Sequence, residues 1–202
     1  MADDPDDLII EYAGEGIDRV SSSISWTLGD NLENLTLTGS ATIDGKGNES
    51  GNILRGNVAD NVLGGVAGND TLQGGAGNDT YLFGRGDGID RILENDATPG
   101  NSDLALFGED ISQEQLWFRR ASNHLEVSII GSSDKLMVQN WYLGEQYRVE
   151  RFQIAEGNAL LDSQVQNLVD AMASFAPPAA GQTLLSDSQR SALESVIAAN
   201  WQ

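Results

Sequence analysis

The 202-residue sequence contains no cysteine and one histidine. Disulfide staples and thiolate metal sites are therefore excluded, and no His-rich zinc pattern exists. Basic residues are scarce: 11 Lys and Arg stand against 31 Asp and Glu, a formal net charge of −20. Nucleic-acid binding needs basic patches, so this balance argues against it. No run approaches the ~18 consecutive apolar residues of a membrane span, so no transmembrane segment is expected. The opening MADDPDD is acidic and carries no apolar h-region, so no N-terminal signal peptide is expected either. Self-repulsion of so many acids destabilises a compact state unless something neutralises it. Charge alone leaves two readings open, a cation-binding protein and a solvated acidic or partly disordered chain.

Glycine, by contrast, is abundant at 23 residues, and much of it is rhythmic. The repeat G-G-x-G-x-D-x-U-x, with U a large apolar residue, fits GGAGNDTYL (74–82) at every position and GVAGNDTLQ (65–73) at all but the second, where Val66 stands. Two earlier units, GNESGNILR (47–55) and GNVADNVLG (56–64), keep the frame. The eighth positions are Leu54, Leu63, Leu72 and Tyr81; the sixth are Asn52, Asn61, Asp70 and Asp79. A flexible low-complexity linker would not hold an apolar slot at a fixed spacing of nine. A longer echo relates DDLII (6–10) to NDTYL (78–82) and GEGIDRV (14–20) to GDGIDRI (86–92), each offset by 72. It sets Asp7 opposite Asp79 and Asp18 opposite Asp90, and it predicts a chain that starts inside a repeat array.

These nonapeptides resemble those of the RTX (repeats-in-toxin, haemolysin-type calcium-binding) proteins. The resemblance implies an all-β fold, a right-handed parallel β-roll or β-solenoid. In it the first six residues of each unit form a turn and the last three a short strand. It also implies several Ca²⁺ ions between turns eighteen residues apart. Carried over by position, Gly65, Ala67 and Asp70 match the first, third and sixth places of one turn, and Gly74, Ala76 and Asp79 those of the next. Gly68, Gly75 and Gly77 would offer carbonyls to the ion on the opposite side. One edge then stacks Asn52, Asp70 and Asp90, the last in a G-x-D-x-U match after a two-residue insertion that brings in Gly86 and Gly88. The other edge stacks Asn61, Asp79 and either Asp96 or Asp103. Asn52 and Asn61 depart from the Asp rule and would be weaker ligands.

Elementary electrostatics favours calcium in such turns. Strands stack about 4.7–4.9 Å apart. Carboxylates at that spacing repel by roughly 3 kcal/mol at an effective dielectric of about 20. Calcium takes oxygen ligands at about 2.3–2.6 Å, so ligands across it lie roughly 4.6–5.2 Å apart, which matches; magnesium at about 2.0–2.1 Å fits worse.

The flanks are less regular. Residues 1–46 read as spacer strands of the same architecture, with Ile24, Trp26, Leu28, Leu35 and Leu37 as interior candidates. The repeat region spans 47–104. Residues 105–160, with the strand-like runs HLEVSII, KLMVQNWY and RVERFQI, read as a β-rich cap covering the last apolar face. Trp117, Trp141 and Phe152 are cap packing or, less favoured, a ligand platform. His124 has no catalytic partner in view, and no Ser/His/Asp set or phosphate loop stands out, so no catalytic residue is assigned. Residues 161–202 read as two helices, one led by Asp162 or Ser163 and one capped near Ser186 or Asp187. In RTX proteins an uncleaved signal at the extreme C-terminus is read by the type I secretion machinery, and these residues stand where it would lie. The resemblance thus implies a calcium-dependent module at the C-terminus of a large secreted or surface protein. The alternative is an adhesin-type module binding glycan, ice or a cell surface. An enzyme's catalytic part would lie upstream.

Overall fold

The structure, a computed structural model, describes residues 1–179 and 181–202 and is mostly β, with two helices. Each nonapeptide ends in a short strand: β5 (Ile53–Arg55), β6 (Val62–Gly64), β7 (Thr71–Gln73) and β8 (Thr80–Phe83). Side chains alternate across a strand, and in each of these strands the second residue turns inward. Those residues are Leu54, Leu63, Leu72 and Tyr81, all fully buried. The intervening turns send successive strands alternately to two sheets.

The spacer follows the same rule. β1 (Arg19–Ser22) and β3 (Asn34–Leu37) join one sheet, and β2 (Trp26–Thr27) and β4 (Gly45–Lys46) the other. β9 (Ile89–Ile92) and β10 (Leu104–Phe107) continue the two series. All neighbours so far are parallel, and the register stacks Leu35, Leu54, Leu72 and Ile92 in one sheet and Leu63, Tyr81 and Ala105 in the other. Of the expected interior residues, Leu28, Leu35 and Leu37 are buried. Ile24 is a correction: it is only half-buried, because the chain bends at 23–24; Trp26, in the two-residue β2, is half-buried but packs against the core.

Antiparallel strands then finish each sheet. In the first, β13 (Lys135–Val138) adds parallel to β9 and is followed by β12 (His124–Ile129) and β11 (Leu116–Ala121), giving the order β1-β3-β5-β7-β9-β13-β12-β11. In the second, β14 (Arg151–Gln153) adds parallel to β10 and antiparallel to β15 (Ala159–Leu161), giving β15-β14-β10-β8-β6-β4-β2. The run KLMVQNWY leaves strand geometry after Val138, because Asn140 takes a left-handed conformation (φ 60°) and Trp141–Leu143 forms a 3₁₀ turn.

Trp117, Trp141 and Phe152 are buried, and the Trp141 and Phe152 rings lie 5.8 Å apart, so they are core packing rather than an exposed platform. His124 is half-buried; its Nδ1 accepts the Asn140 N–H at 2.9 Å and so pins the end of β13.

Helix α1 (Asp162–Met172) buries Val165, Leu168, Val169 and Met172, and α2 (Asp187–Asn200) buries Leu193 and Ile197. The N-cap of α1 is Leu161, not the expected Asp162 or Ser163, because Leu161 is still extended from β15 and Asp162 already opens the first turn. Asp162 pairs with Arg148 at 3.2 Å. The N-cap of α2 is Ser186, as expected, in a reciprocal box with Gln189. The helices pack on each other and α1 on β11. Trp201 stands edge-on to Phe118, 6.4 Å between centroids.

Candidate metal centre

The sixth residue of each unit closes its turn just before the strand, so strand register fixes what stacks on what. Along one edge the Asn52 N–H donates to Asp70 Oδ1 at 2.7 Å, and the Asp70 N–H to Asp90 Oδ1 at 2.9 Å. Along the other, the Asn61 N–H donates to Asp79 Oδ1 at 2.8 Å, and the Asp79 N–H to Asp103 Oδ1 at 2.7 Å. The Asp103 N–H continues to Glu150 Oε2 at 2.8 Å. One oxygen of each aspartate therefore ties adjacent turns together.

The second oxygen is different. Oδ2 of Asp70, of Asp79 and of Asp90 is buried and has no hydrogen-bond partner. The three residues are at most 1% exposed. Burial is the main cause that raises their pKa, to about 6 for Asp70, about 7 for Asp79 and about 8 for Asp90; neighbouring acids add to it, and hydrogen bonds from the preceding turn oppose it. The ion pairs seen among the described residues are Arg85–Asp110, Arg119–Glu126, Lys135–Glu126 and Arg148–Asp162, and none reaches these rows. A buried carboxylate oxygen without donor or cation is costly.

The turn backbone comes close to that oxygen, and only glycine permits the approach. A Cβ on Gly65 would collide with the Asp70 carboxylate, and one on Gly74 with the Asp79 carboxylate. Gly75 and Gly77, at φ 110° and 112°, hold the positive φ that reorients turn carbonyls. Val66 occupies the same second place at φ 80°, a conformation that a β-branched residue rarely adopts. Ala67 and Ala76 lie half-buried in the same turns. Among the described residues no three His, Cys, Asp or Glu side chains converge on one point. A cation here would thus be held by one or two carboxylates plus backbone carbonyls, a hard oxygen set that suits Ca²⁺.

Other expected residues fall out unequally. Asp103 takes the place level with Asp79, and Asp96 lies in the loop before it: its Oδ1 accepts from the Thr98 N–H and hydroxyl at 2.8 and 2.6 Å, while its Oδ2 is buried without a partner, as in Asp70, Asp79 and Asp90. The reason is register, since Leu104 pairs with Thr80 and sets Asp103 level with Asp79. Gly86 and Gly88 give their N–H groups to the Asp134 carboxylate at 3.0 and 3.1 Å, and Gly88 bridges to Gly68. The carbonyl of Gly88 accepts the Lys135 N–H at 2.8 Å, so it serves the start of β13.

Asn52 and Asn61 head the two rows, and their amides already have protein partners at both the oxygen and the nitrogen. Asn52 Oδ1 accepts the Asn48 N–H at 2.7 Å, and its Nδ2 donates to the Leu32 carbonyl and to Asn48 Oδ1, both at 3.1 Å. Asn61 repeats this with the Asn57 N–H, the Ile43 carbonyl and Asn57 Oδ1 at 2.8, 2.6 and 3.2 Å. Asn48 and Asn57 in turn accept the N–H two residues on, and their Nδ2 groups reach carbonyls of the preceding spacer. These partners were not part of the expectation that Asn52 and Asn61 are weaker ligands than aspartate. The sequence does carry the signal: G-N-x-x-x-N occurs at both 47–52 and 56–61.

Reasoning from sequence also passed over Asp134, Glu94 and the place of Glu150 at the end of a row. Glu94 is 4% exposed and takes the hydroxyl hydrogen of Tyr81. Burial, with the charges of Asp103 and Asp79, raises its pKa to about 9 against the lowering effect of the Tyr81 bond.

Comparison with known proteins bears on this arrangement. Residues 46–80 and 55–90 match the profile of the RTX calcium-binding nonapeptide repeat, and residues 124–163 that of the haemolysin-type calcium binding protein related domain. The chain is 34% identical over 90 residues to the iron-regulated protein FrpA of Neisseria meningitidis serogroup C, covering 43% of this chain and 8% of that protein. It is 51% identical over 45 residues to the endo-1,3-1,4-beta-glycanase ExsH of Rhizobium meliloti (strain 1021), covering 22% of this chain and 10% of that protein. The chain thus spans no more than a tenth of either relative.

Proposed function

From the premise that this is an RTX-repeat protein that binds Ca²⁺, we propose that it is a calcium-dependent folding module of a larger secreted protein. The buried, partnerless Oδ2 atoms of Asp70, Asp79 and Asp90 carry this reading. In it residues 47–104 form a right-handed parallel β-roll that extends the spacer of 1–46. Asp70, Asp79, Asp90 and Asp103, with carbonyls of Gly65, Ala67, Gly68, Gly74, Gly75, Ala76 and Gly77, supply the ligands. Residues 105–160 cap the roll. The alternating parallel sheets and the antiparallel strands at their ends support this division.

The ion supplies the positive charge that the rows lack. At calcium about 100 times its Kd, each site adds about 2.7 kcal/mol, and at trace calcium almost nothing. Extracellular modules bind with Kd of about 10⁻⁴–10⁻³ M, which makes folding conditional on the outside of a cell. Export unfolded and folding on arrival follow from that difference. Residues 161–202 are assigned the type I export signal, a reading supported by the family resemblance. Among the described residues no helix is long and apolar enough to cross a membrane.

Calorimetric titration of the metal-free chain with calcium tests the reading. Uptake of several ions, accompanied by a gain of β signal in circular dichroism, is expected. Asp70→Ala and Asp79→Ala should each remove at least one ion. An unchanged spectrum and no heat would overturn it.

A further inference from the structure

The turn that follows β9 lacks the glycine pattern. Between Leu93 and Asp103 the chain reads ENDATPGNS, so the carbonyls a regular turn would present opposite Asp79 are missing from the frame. A buried carboxylate stands there instead. Glu94 is 4% exposed and has no Lys or Arg partner among the described residues. Its carboxylate is bonded to the Tyr81 hydroxyl, which also accepts the Gly74 N–H at 2.9 Å. A Cβ built on Gly74 would lie 2.6 Å from that hydroxyl and would also collide with Asp79 Oδ2. Tyr81 Oη and the orphaned Asp79 oxygen thus converge over Gly74, where any side chain would collide with both, and Glu94 touches the hydroxyl at that point.

We propose that Glu94 is a calcium ligand, sharing with Asp79 the ion held over Gly74 and standing in for the carbonyls of the missing repeat turn. The assignment rests on the calcium reading of the repeat turns. Two carboxylates and the turn carbonyls form an all-oxygen set, and the flexible Glu side chain spans a gap that the irregular loop leaves. Tyr81 is a positioning residue: its hydroxyl fixes the Glu94 carboxylate against Gly74. Glu94 is outside the nonapeptide pattern, so no repeat motif marks it.

The test uses the full chain. Glu94→Gln keeps an acceptor for Tyr81 but removes the charge. Calorimetry with calcium should show one ion fewer than the native chain, or one ion bound at least tenfold more weakly, while the remaining ions are unchanged. An unaltered ion count and affinity would overturn the proposal and leave Glu94 a protonated partner of Tyr81. Terbium luminescence gives a second readout: an ion over Gly74 lies beside Tyr81, so Glu94→Gln should cut the tyrosine-sensitised emission of terbium at sub-saturating concentration, and undiminished emission would overturn the proposal. A native chain that takes up no calcium overturns the reading of all the turns. Calcium uptake by the native chain with no response in E94Q overturns the role of Glu94 alone.

Discussion

Two pairs of turns share one nine-residue frame and close in different ways. In the turns at 47–52 and 56–61, an asparagine at the second place and another at the sixth bind each other, the turn backbone and a carbonyl of the spacer. In the turns at 65–70 and 74–79, Val66 or Gly75 replaces the first asparagine and an aspartate replaces the second. No side chain then donates to the sixth residue, and one carboxylate oxygen is left bare. An amide carries both donor and acceptor and can satisfy a turn by itself; an ionised carboxylate only accepts. The same fold thus holds a self-sufficient half and a half that needs a cation.

Chelation should separate the halves most sharply. In hydrogen exchange of the folded chain, calcium removal should accelerate the Asp70 and Asp79 amides on the order of 100-fold, the equivalent of one site's contribution. The Asn48 and Asn57 amides should change far less. Equal acceleration of the two sets would erase the distinction.

Acidity is the next lever, because only one half titrates. In the metal-free fold the Asp70, Asp79 and Asp90 carboxyls lie at about 6, 7 and 8, raised chiefly by burial. The unfolded chain releases those protons near the ordinary value of about 3.9. Between these limits the folded state holds more protons, so the metal-free chain should be most stable near pH 4 and lose stability as pH rises through 6 to 8. Calcium competes with those protons, so its stabilising effect should grow over the same interval. Melting temperatures of dialysed protein against pH check both signs.

Single side chains come last. Asn57→Ala deprives the Ala59 N–H and the Ala41 carbonyl of their partner. It should cost about 1–3 kcal/mol in denaturant unfolding with the calcium count unchanged. Val66→Gly relieves a β-branched residue at φ 80°. That strain is about 1–2 kcal/mol, and the added unfolded-state freedom of glycine offsets part of it, so the calcium-loaded chain should gain about 1 kcal/mol or less.

The ruler of apolar residues made the inner row legible: Leu54, Leu63, Leu72 and Tyr81 each occupy the buried place that their spacing implies. The Asn52–Asp70–Asp90 order was also readable, because one two-residue insertion did not obscure the motif. The choice between Asp96 and Asp103 was not, since it depends on how a long loop re-enters the sheet. Glu94 and Glu150 reach their places through long-range pairing, Glu94 by way of Tyr81 and Glu150 through β14 beside β10. No local pattern encodes such contacts. The Asn locks were written in the sequence as a second motif inside the first, but their meaning lies in spacer carbonyls that only the fold brings near.

The alternation of strands between two sheets carries a parity rule. Inserting eighteen residues among the repeats would lengthen each sheet by one strand and return every later residue to its own side. Inserting nine would send each later strand to the opposite sheet, and an asparagine from one file would then face an aspartate from the other. Growth and shrinkage of such a molecule should therefore proceed in even steps.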